Sequence, residues 1–150
     1  SIGDVIEVDD FKGTVLNITL RTTKIKKWDG SVLIINNKLI TKVINSSIYN
    51  SVAVVDVLID IEENIQRVTD ILEKTLDKFD KKYDKSIIEK PKILGINKID
   101  PTYKSIRIIC ETKPEEQYNI ERLLRKDITD VFFKEKINIP YERVSIKDGR

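Results

Sequence analysis

Histidine is absent from the 150 residues, cysteine occurs once and glycine only five times. Without imidazole the chain lacks the usual general base near neutral pH, the Ser-His and Cys-His nucleophile pairs, and most zinc-site designs. Cys110 cannot close an intrachain disulfide, which suits a reducing compartment. Gly3, Gly13, Gly30, Gly95 and Gly149 are too scattered to build a phosphate-cradling loop. No apolar run approaches the roughly 20 residues needed to span a bilayer, and no signal peptide precedes Gly3. A surplus of one charge is missing too. Twenty-seven basic residues face 25 acidic ones, so any nucleic-acid or membrane partner would have to be recognised by local clustering. These absences leave no cofactor, metal or catalytic constellation to expect. The opening Ser1-Ile2-Gly3-Asp4 has no initiator methionine, and the expectation is a fragment of something longer.

What is present begins as β structure. VIEV (5–8) precedes an Asp9-Asp10 turn, and TVLNITLRTTKI (14–25) follows, in which Leu16, Ile18 and Leu20 alternate with Asn17, Thr19 and Arg21. Period-two alternation predicts a strand with one buried and one wet face. Gly13 marks a turn or a close backbone approach. Asp29-Gly30 sits where a hairpin loop needs positive φ, and VLII (32–35) then reads as a buried strand. A short KVIN segment (42–45) closes the region. Four or five short strands in under 50 residues predict a small, strongly bent, barrel-like sheet.

After Asn45 the grammar changes. SVAVVDVLID (51–60) is a strand, and Asp60 with Glu63 reads as an acidic capping box. Ile61, Ile65, Val68, Leu72, Leu76 and Phe79 recur at three- and four-residue spacing, predicting a helix that ends near Tyr83. PKILGINKI (91–99) and YKSIRIICET (103–112) form a hairpin through Asp100-Pro101. Pro114-Glu115-Glu116 reads as a helix start, and Ile120, Leu124, Ile128, Val131 and Phe132 supply its stripe. Ile139-Pro140-Tyr141 leads to a final strand, RVSI (143–146). The order β-α-β-β-α-β is the ferredoxin-like arrangement. The chain therefore divides into a β domain (1–47) and a ferredoxin-like α+β domain (48–150).

Four places could carry chemistry. Arg21, Lys24, Lys26 and Lys27 beside Trp28 could form a groove for single-stranded nucleic acid, but one aromatic is not a stacking platform, and lysines equally guard a strand edge. Asp4, Glu7, Asp9 and Asp10 offer oxygens to a hard cation but lack the spacing of a calcium loop. Cys110 shares a face with Ile106 and Ile108 and reads as a small buried hydrophobe. Asn36 and Asn37 could clamp a ligand; asparagines at a strand end also make turns.

IGDVIEV, FKGTVLNITLRTTKIKKWDGSVLIINNKLI and KVINSS, taken together, resemble the cytosolic part of the small-conductance mechanosensitive channel (MscS) family. The shared elements are Gly3-Asp4, Gly13-Thr14-Val15, Arg21-Thr22-Thr23, Asp29-Gly30, the isoleucine-rich strand ending in Asn37, and Ile44-Asn45-Ser46. The likeness continues weakly to Ile139-Pro140-Tyr141. The resemblance implies an Sm-like β domain directly after a pore-lining helix, with the α/β domain below it. It also implies that seven copies enclose a chamber on the cytoplasmic side of the inner membrane. Tension opens the pore of that family and releases ions and small osmolytes. This chain would then be a soluble part of a homo-oligomer held to the membrane by a missing upstream region. Its role would be assembly and filtering, with no catalysis, no cofactor and no nucleic-acid partner.

The chain departs from that family at one corner. Ile35-Asn36-Asn37-Lys38 stands where the family commonly has Ile-Pro-Asn-Gly, so a backbone donor is regained and a permissive residue lost. A side-chain bond from Asn36 to the backbone is the expected compensation. The family's C-terminal barrel has little to map onto beyond Lys147 to Arg150. An Sm-like RNA-binding module joined to a ferredoxin-like domain is the alternative, motivated by the basic strand from Arg21 to Lys27.

Overall fold

The computed structural model describes residues 1–45, 47 and 49–140. It is a β-rich α+β chain that divides into two compact units, Ser1–Ser51 with Lys113–Glu115, and Val52–Thr112 with the residues from Glu116 on.

The first unit is a five-stranded antiparallel sheet. Its strands are β1 (Val5–Val8), β2 (Phe11–Ile18), β3 (Thr22–Lys26), β4 (Val32–Asn36) and β5 (Ile44–Asn45), in the spatial order β4-β3-β2-β1-β5. Asp9 and Asp10 both take positive φ, 47° and 68°, in the two-residue loop that joins β1 to β2. Short polar side chains that tolerate the left-handed region make that tight loop possible. Ile6, Val8, Val15 and Ile25 form the buried core, flanked by Phe11, Ile35 and Ile40.

Two expectations for this unit are corrected. The register of β2 against β3 slips between Val15 and Asn17, so the strand bulges just where the alternation was to begin. Val15 is buried, whereas Leu16 (42 % exposed), Ile18 (49 %) and Leu20 face solvent. VLII is not a buried strand either: β4 is an edge, with Val32 50 % and Ile34 60 % exposed, while Leu33 and Ile35 turn inward. KVIN contributes only Ile44–Asn45 as strand.

The second unit contains β6 (Ser51–Asp60, whose first residue belongs to the first unit), α1 (Ile65–Lys82), β7 (Lys92–Ile99), β8 (Tyr103–Thr112) and α2 (Gln117–Lys134). The sheet order is β6-β8-β7. Ala53, Val55, Val57 and Ile59 on β6, and Ile106, Ile108 and Cys110 on β8, bury one face. Val68, Leu72, Leu76 and Phe79 from α1 and Ile120, Leu124, Ile128 and Phe132 from α2 complete that core. Each large side chain so buried stabilises the unit by about 1.5–3 kcal/mol relative to exposure.

Both helices start later than the sequence pattern predicts. Asn64, not Asp60, caps α1: its side chain accepts the Arg67 amide at 3.0 Å. Asp60 instead makes a turn, its Oδ1 accepting the Glu62 amide, so Ile61 lies outside the helix. Glu115 has φ +65°, which excludes it from a helical first turn, and α2 begins at Gln117 after Glu116. The Val54 amide of β6 donates to Glu121 Oε1 of α2 at 3.1 Å. The predicted strand RVSI, with Tyr141, lies outside the described residues, as do Lys147 to Arg150 and Ser46.

Candidate functional site

The residues singled out in the β region gather at four places, each built from short polar side chains. The first is the opening strand. Gly3, at φ +92°, donates its amide to the Val15 carbonyl at 2.8 Å, and Val15 returns its own amide to the Asp4 carbonyl at 2.8 Å. The Asp4 carboxylate accepts Asn45 Nδ2 at 2.9 Å, which links the two ends of the unit's sequence. Asn45 Oδ1 in turn accepts the amide and hydroxyl of Ser47, at 3.1 and 2.7 Å.

The second is Gly13, which shows the predicted close approach. A Cβ there would lie 2.5 Å from the Lys26 carbonyl oxygen and 2.6 Å from Ile25 Cγ2. Thr14, next to it, pairs with both Val5 and Lys26 across the sheet.

The third is the turn between β3 and β4. The Gly30 amide donates to the Lys27 carbonyl at 3.0 Å, and only Gly30 of the Asp29-Gly30 pair has positive φ, +89°. Asp29 Oδ1 accepts the Ser31 hydroxyl at 2.6 Å and its amide at 3.0 Å. Those bonds, the hydroxyl's first, lower the Asp29 pKa.

The fourth is the corner at the end of β4. Asn36, at φ −71° and ψ 123°, accepts the Lys38 amide with Oδ1 at 3.0 Å and so caps a single 3₁₀ turn over Asn37–Leu39. Asn37 binds in three directions. Its Oδ1 accepts the buried Thr23 hydroxyl at 2.6 Å, its Nδ2 donates to the Thr19 carbonyl at 2.9 Å, and its amide donates to the Arg21 carbonyl at 2.7 Å. Thr22 meets Thr19 hydroxyl to hydroxyl at 2.9 Å. The asparagines therefore buckle the β2–β3 turn to the end of β4, and Asn36 supplies the expected bond to the backbone.

Thr19, Ser31 and Ser47 were missed by sequence reasoning. The signal for the two serines was legible: an Asp or Asn two residues before each is the spacing of a side-chain-closed turn. The hydroxyls and amides of these corners are taken up in mutual hydrogen bonds, and none lies beside a base that would activate it. Glu7, Asp9 and Asp10 line an open pocket with Lys42 and Ile44, and neither Asp4 nor Asn45 lines it. Among the described residues no group of three or more Cys, Asp or Glu could hold a metal ion. Burial pushes the Cys110 thiol up to about 12. Trp28 is 90 % exposed, and the Lys27 ammonium lies 5.4 Å from the centre of the Phe11 ring.

Corners of this kind shape a sheet and leave its outer face free. Val32 and Ile34 on that face stand opposite Lys26 and Lys24. Comparison with known proteins gives this frame its family. A model of the mechanosensitive ion channel β-domain matches residues 1–48. The small-conductance mechanosensitive channel of Caldanaerobacter subterraneus subsp. tengcongensis is 30 % identical over 146 residues, 97 % of this chain and 51 % of that protein. The chain is an MscS-family domain. It spans about half the length of that curated relative.

Solved structures share the fold of this MscS-family domain at lower identity. Helicobacter pylori MscS in its closed state matches over the whole chain and 59 % of its own length, with a TM-score of 0.82 at 18 % identity. Arabidopsis thaliana MSL1 matches over 95 % of the chain and 53 % of its own, with a TM-score of 0.66 at 16 % identity. No helix among the described residues of the domain is long and apolar enough to cross a membrane.

Proposed function

We propose that this MscS-family domain is the cytoplasmic vestibule of a tension-gated channel that releases ions and small osmolytes on hypo-osmotic shock. In this reading it assembles as a homo-oligomer, a heptamer in the full-length protein, on the cytoplasmic side of the inner membrane. An upstream region supplies the membrane anchor. The domain guides assembly and filters what reaches the pore; it performs no catalysis and needs no cofactor. Residues 1–47 form an Sm-like β domain and residues 48–150 a ferredoxin-like one. The orders β4-β3-β2-β1-β5 and β6-β8-β7 support that finer reading.

The observation that carries the proposal is the surface left open on β2 and β4. Leu16, Ile18, Val32 and Ile34 remain 42 to 60 % exposed on a unit whose backbone corners are otherwise fully tied. Val32 and Ile34 lie on the outer face of the free edge strand, whereas Ile18 pairs with Thr23 on the other face; exposed apolar residues at such an edge fit burial against another copy. Expressing the whole reading frame in cells without tension-gated channels, and applying suction to excised patches, tests the function. Stepwise tension-activated currents and rescue from osmotic lysis are expected. A reading frame with no transmembrane helices before Ile2 would sink the proposal.

A further inference from the structure

The β3–β4 hairpin carries a feature that the corners do not require. Residues 21–31 hold four basic side chains, Arg21, Lys24, Lys26 and Lys27, and a single acid, Asp29. The Asp29 carboxylate is bonded to the Ser31 hydroxyl and amide, and of the hairpin's basic residues it is Lys27 whose charge it feels. Lys24 and Lys26 are exposed on the outer face, alternating with the buried Thr23 and Ile25. Trp28 occupies the first of the two central positions of the Lys27–Gly30 turn, at the tip, and is 90 % exposed. The turn is fixed by the Gly30 and Ser31 bonds, and a second rung runs from the Lys27 amide to the Ser31 carbonyl at 2.8 Å. The indole is therefore held out in water by a braced loop.

We propose that this hairpin tip is a contact for an anionic lipid surface, with Trp28 entering the headgroup boundary and Lys24 and Lys26 facing lipid phosphates and carboxylates. The two halves of the chemistry complement each other. An indole combines an apolar body with one N–H donor and partitions to the water–hydrocarbon boundary, and lysines beside it gain from negative surface potential. The local excess of positive charge matches such a surface, while the whole chain, at +2, does not repel or attract strongly. A single-stranded nucleic acid fits less well, because successive bases need successive aromatic platforms and the hairpin offers one.

Trp28 is the chain's sole tryptophan, so its fluorescence reports this site alone. The chain is titrated with vesicles of phosphatidylcholine, with and without phosphatidylserine, and with single-stranded RNA. A blue shift on the phosphatidylserine vesicles, together with quenching by brominated acyl chains, is expected. Co-sedimentation should fall about fivefold for each of Lys24→Gln and Lys26→Gln, and it should weaken as salt rises. Trp28→Ala should lower it further with the circular dichroism unchanged. An unshifted spectrum on every vesicle would overturn the proposal. So would a shift that follows protein concentration without lipid, which means self-contact, or a shift on RNA alone. Channel currents enter none of these readouts, so failure here is separable from failure of the vestibule reading.

Discussion

Replacing Gly13 by alanine tests the close approach between β2 and β3. The added methyl would meet the Lys26 carbonyl oxygen at 2.5 Å and Ile25 Cγ2 at 2.6 Å, well inside the 3.0 Å that side-chain carbons respect. The oxygen belongs to the backbone of the neighbouring strand, so relief requires the two strands to part by about half an ångström. Forcing a methyl into packed structure costs about 1–3 kcal/mol. Loss of glycine's freedom in the unfolded chain returns about 0.4–1 kcal/mol. Steric strain wins, and a net destabilisation of about 1–2 kcal/mol is expected. Because the chain has two units, one global midpoint is a poor measure. Amide exchange in residues 12–18 and 22–26 reads the affected ladder directly. Gly30 is the control, since its φ is +89° and a Cβ there meets nothing within 4 Å. Asparagine tolerates the left-handed region, so Gly30→Asn should be mild where Gly13→Asn is severe. Equal effects at both positions, or unchanged exchange in Gly13→Ala, would refute the steric account.

Two further outcomes follow from the corners and turns. Asn36 has the φ of a proline, and the Asn37 amide bonds to Arg21 across the strand pair, so by alternation the Asn36 amide points to the open edge of β4. Asn36→Ala loses the cap on Lys38 and should cost about 0.5–1 kcal/mol, whereas Asn36→Pro should come within about 0.5 kcal/mol of the parent in urea titration. A proline variant worse than the alanine one would mean that the amide is needed. Glu63 is only 9 % exposed and accepts the Asn138 amide at 3.0 Å and Arg67 Nη1 at 2.9 Å. Those bonds, the Asn138 amide's first, hold its pKa below the ordinary carboxylate value. Its stabilisation is then full above the unfolded pKa of about 4.3 and is lost as pH falls through the lower folded value. Glu63→Gln should cost about 1–2 kcal/mol near neutrality, and the gap should close as pH falls below the ordinary carboxylate range. A gap that does not vary with pH would show that the charge is immaterial.

Much of the frame was legible because periodicity and turn chemistry are local. The stripe from Val68 to Phe79 and the alternation of residues 51–60 locate α1 and β6 to within a few residues. Helix starts were misplaced because Asp60 and Asn64 are both competent caps, and only the path of the chain after β6 selects Asn64. Leu16 and Ile18 misled for a different reason. Their alternation is genuine, but the buried core ends at Val15: residues 16–20 are all exposed, although Ile18 pairs with the buried Thr23 beyond the bulge, and no local preference announces where the core stops. At the candidate site, the asparagines and glycines stood out by type. Their partners, the Thr19 carbonyl in the β2–β3 turn for Asn37 and the Lys26 carbonyl of β3 for Gly13, come from other elements and needed the register to be known.

The carboxylate of Glu121 on the Val54 amide also bears on how the protein behaves when crowded. An outer strand with free donors is a template on which a foreign strand can grow, and repeated addition leads to fibres. Seating a charged side chain on one such donor removes a rung and leaves like charges facing any identical strand that approaches. Among the described residues β6 has a strand neighbour on one side only, and Glu121 takes up the Val54 donor. Concentrated Glu121→Ala should bind thioflavin where the parent does not, and a silent dye would show that the edge is protected by other means.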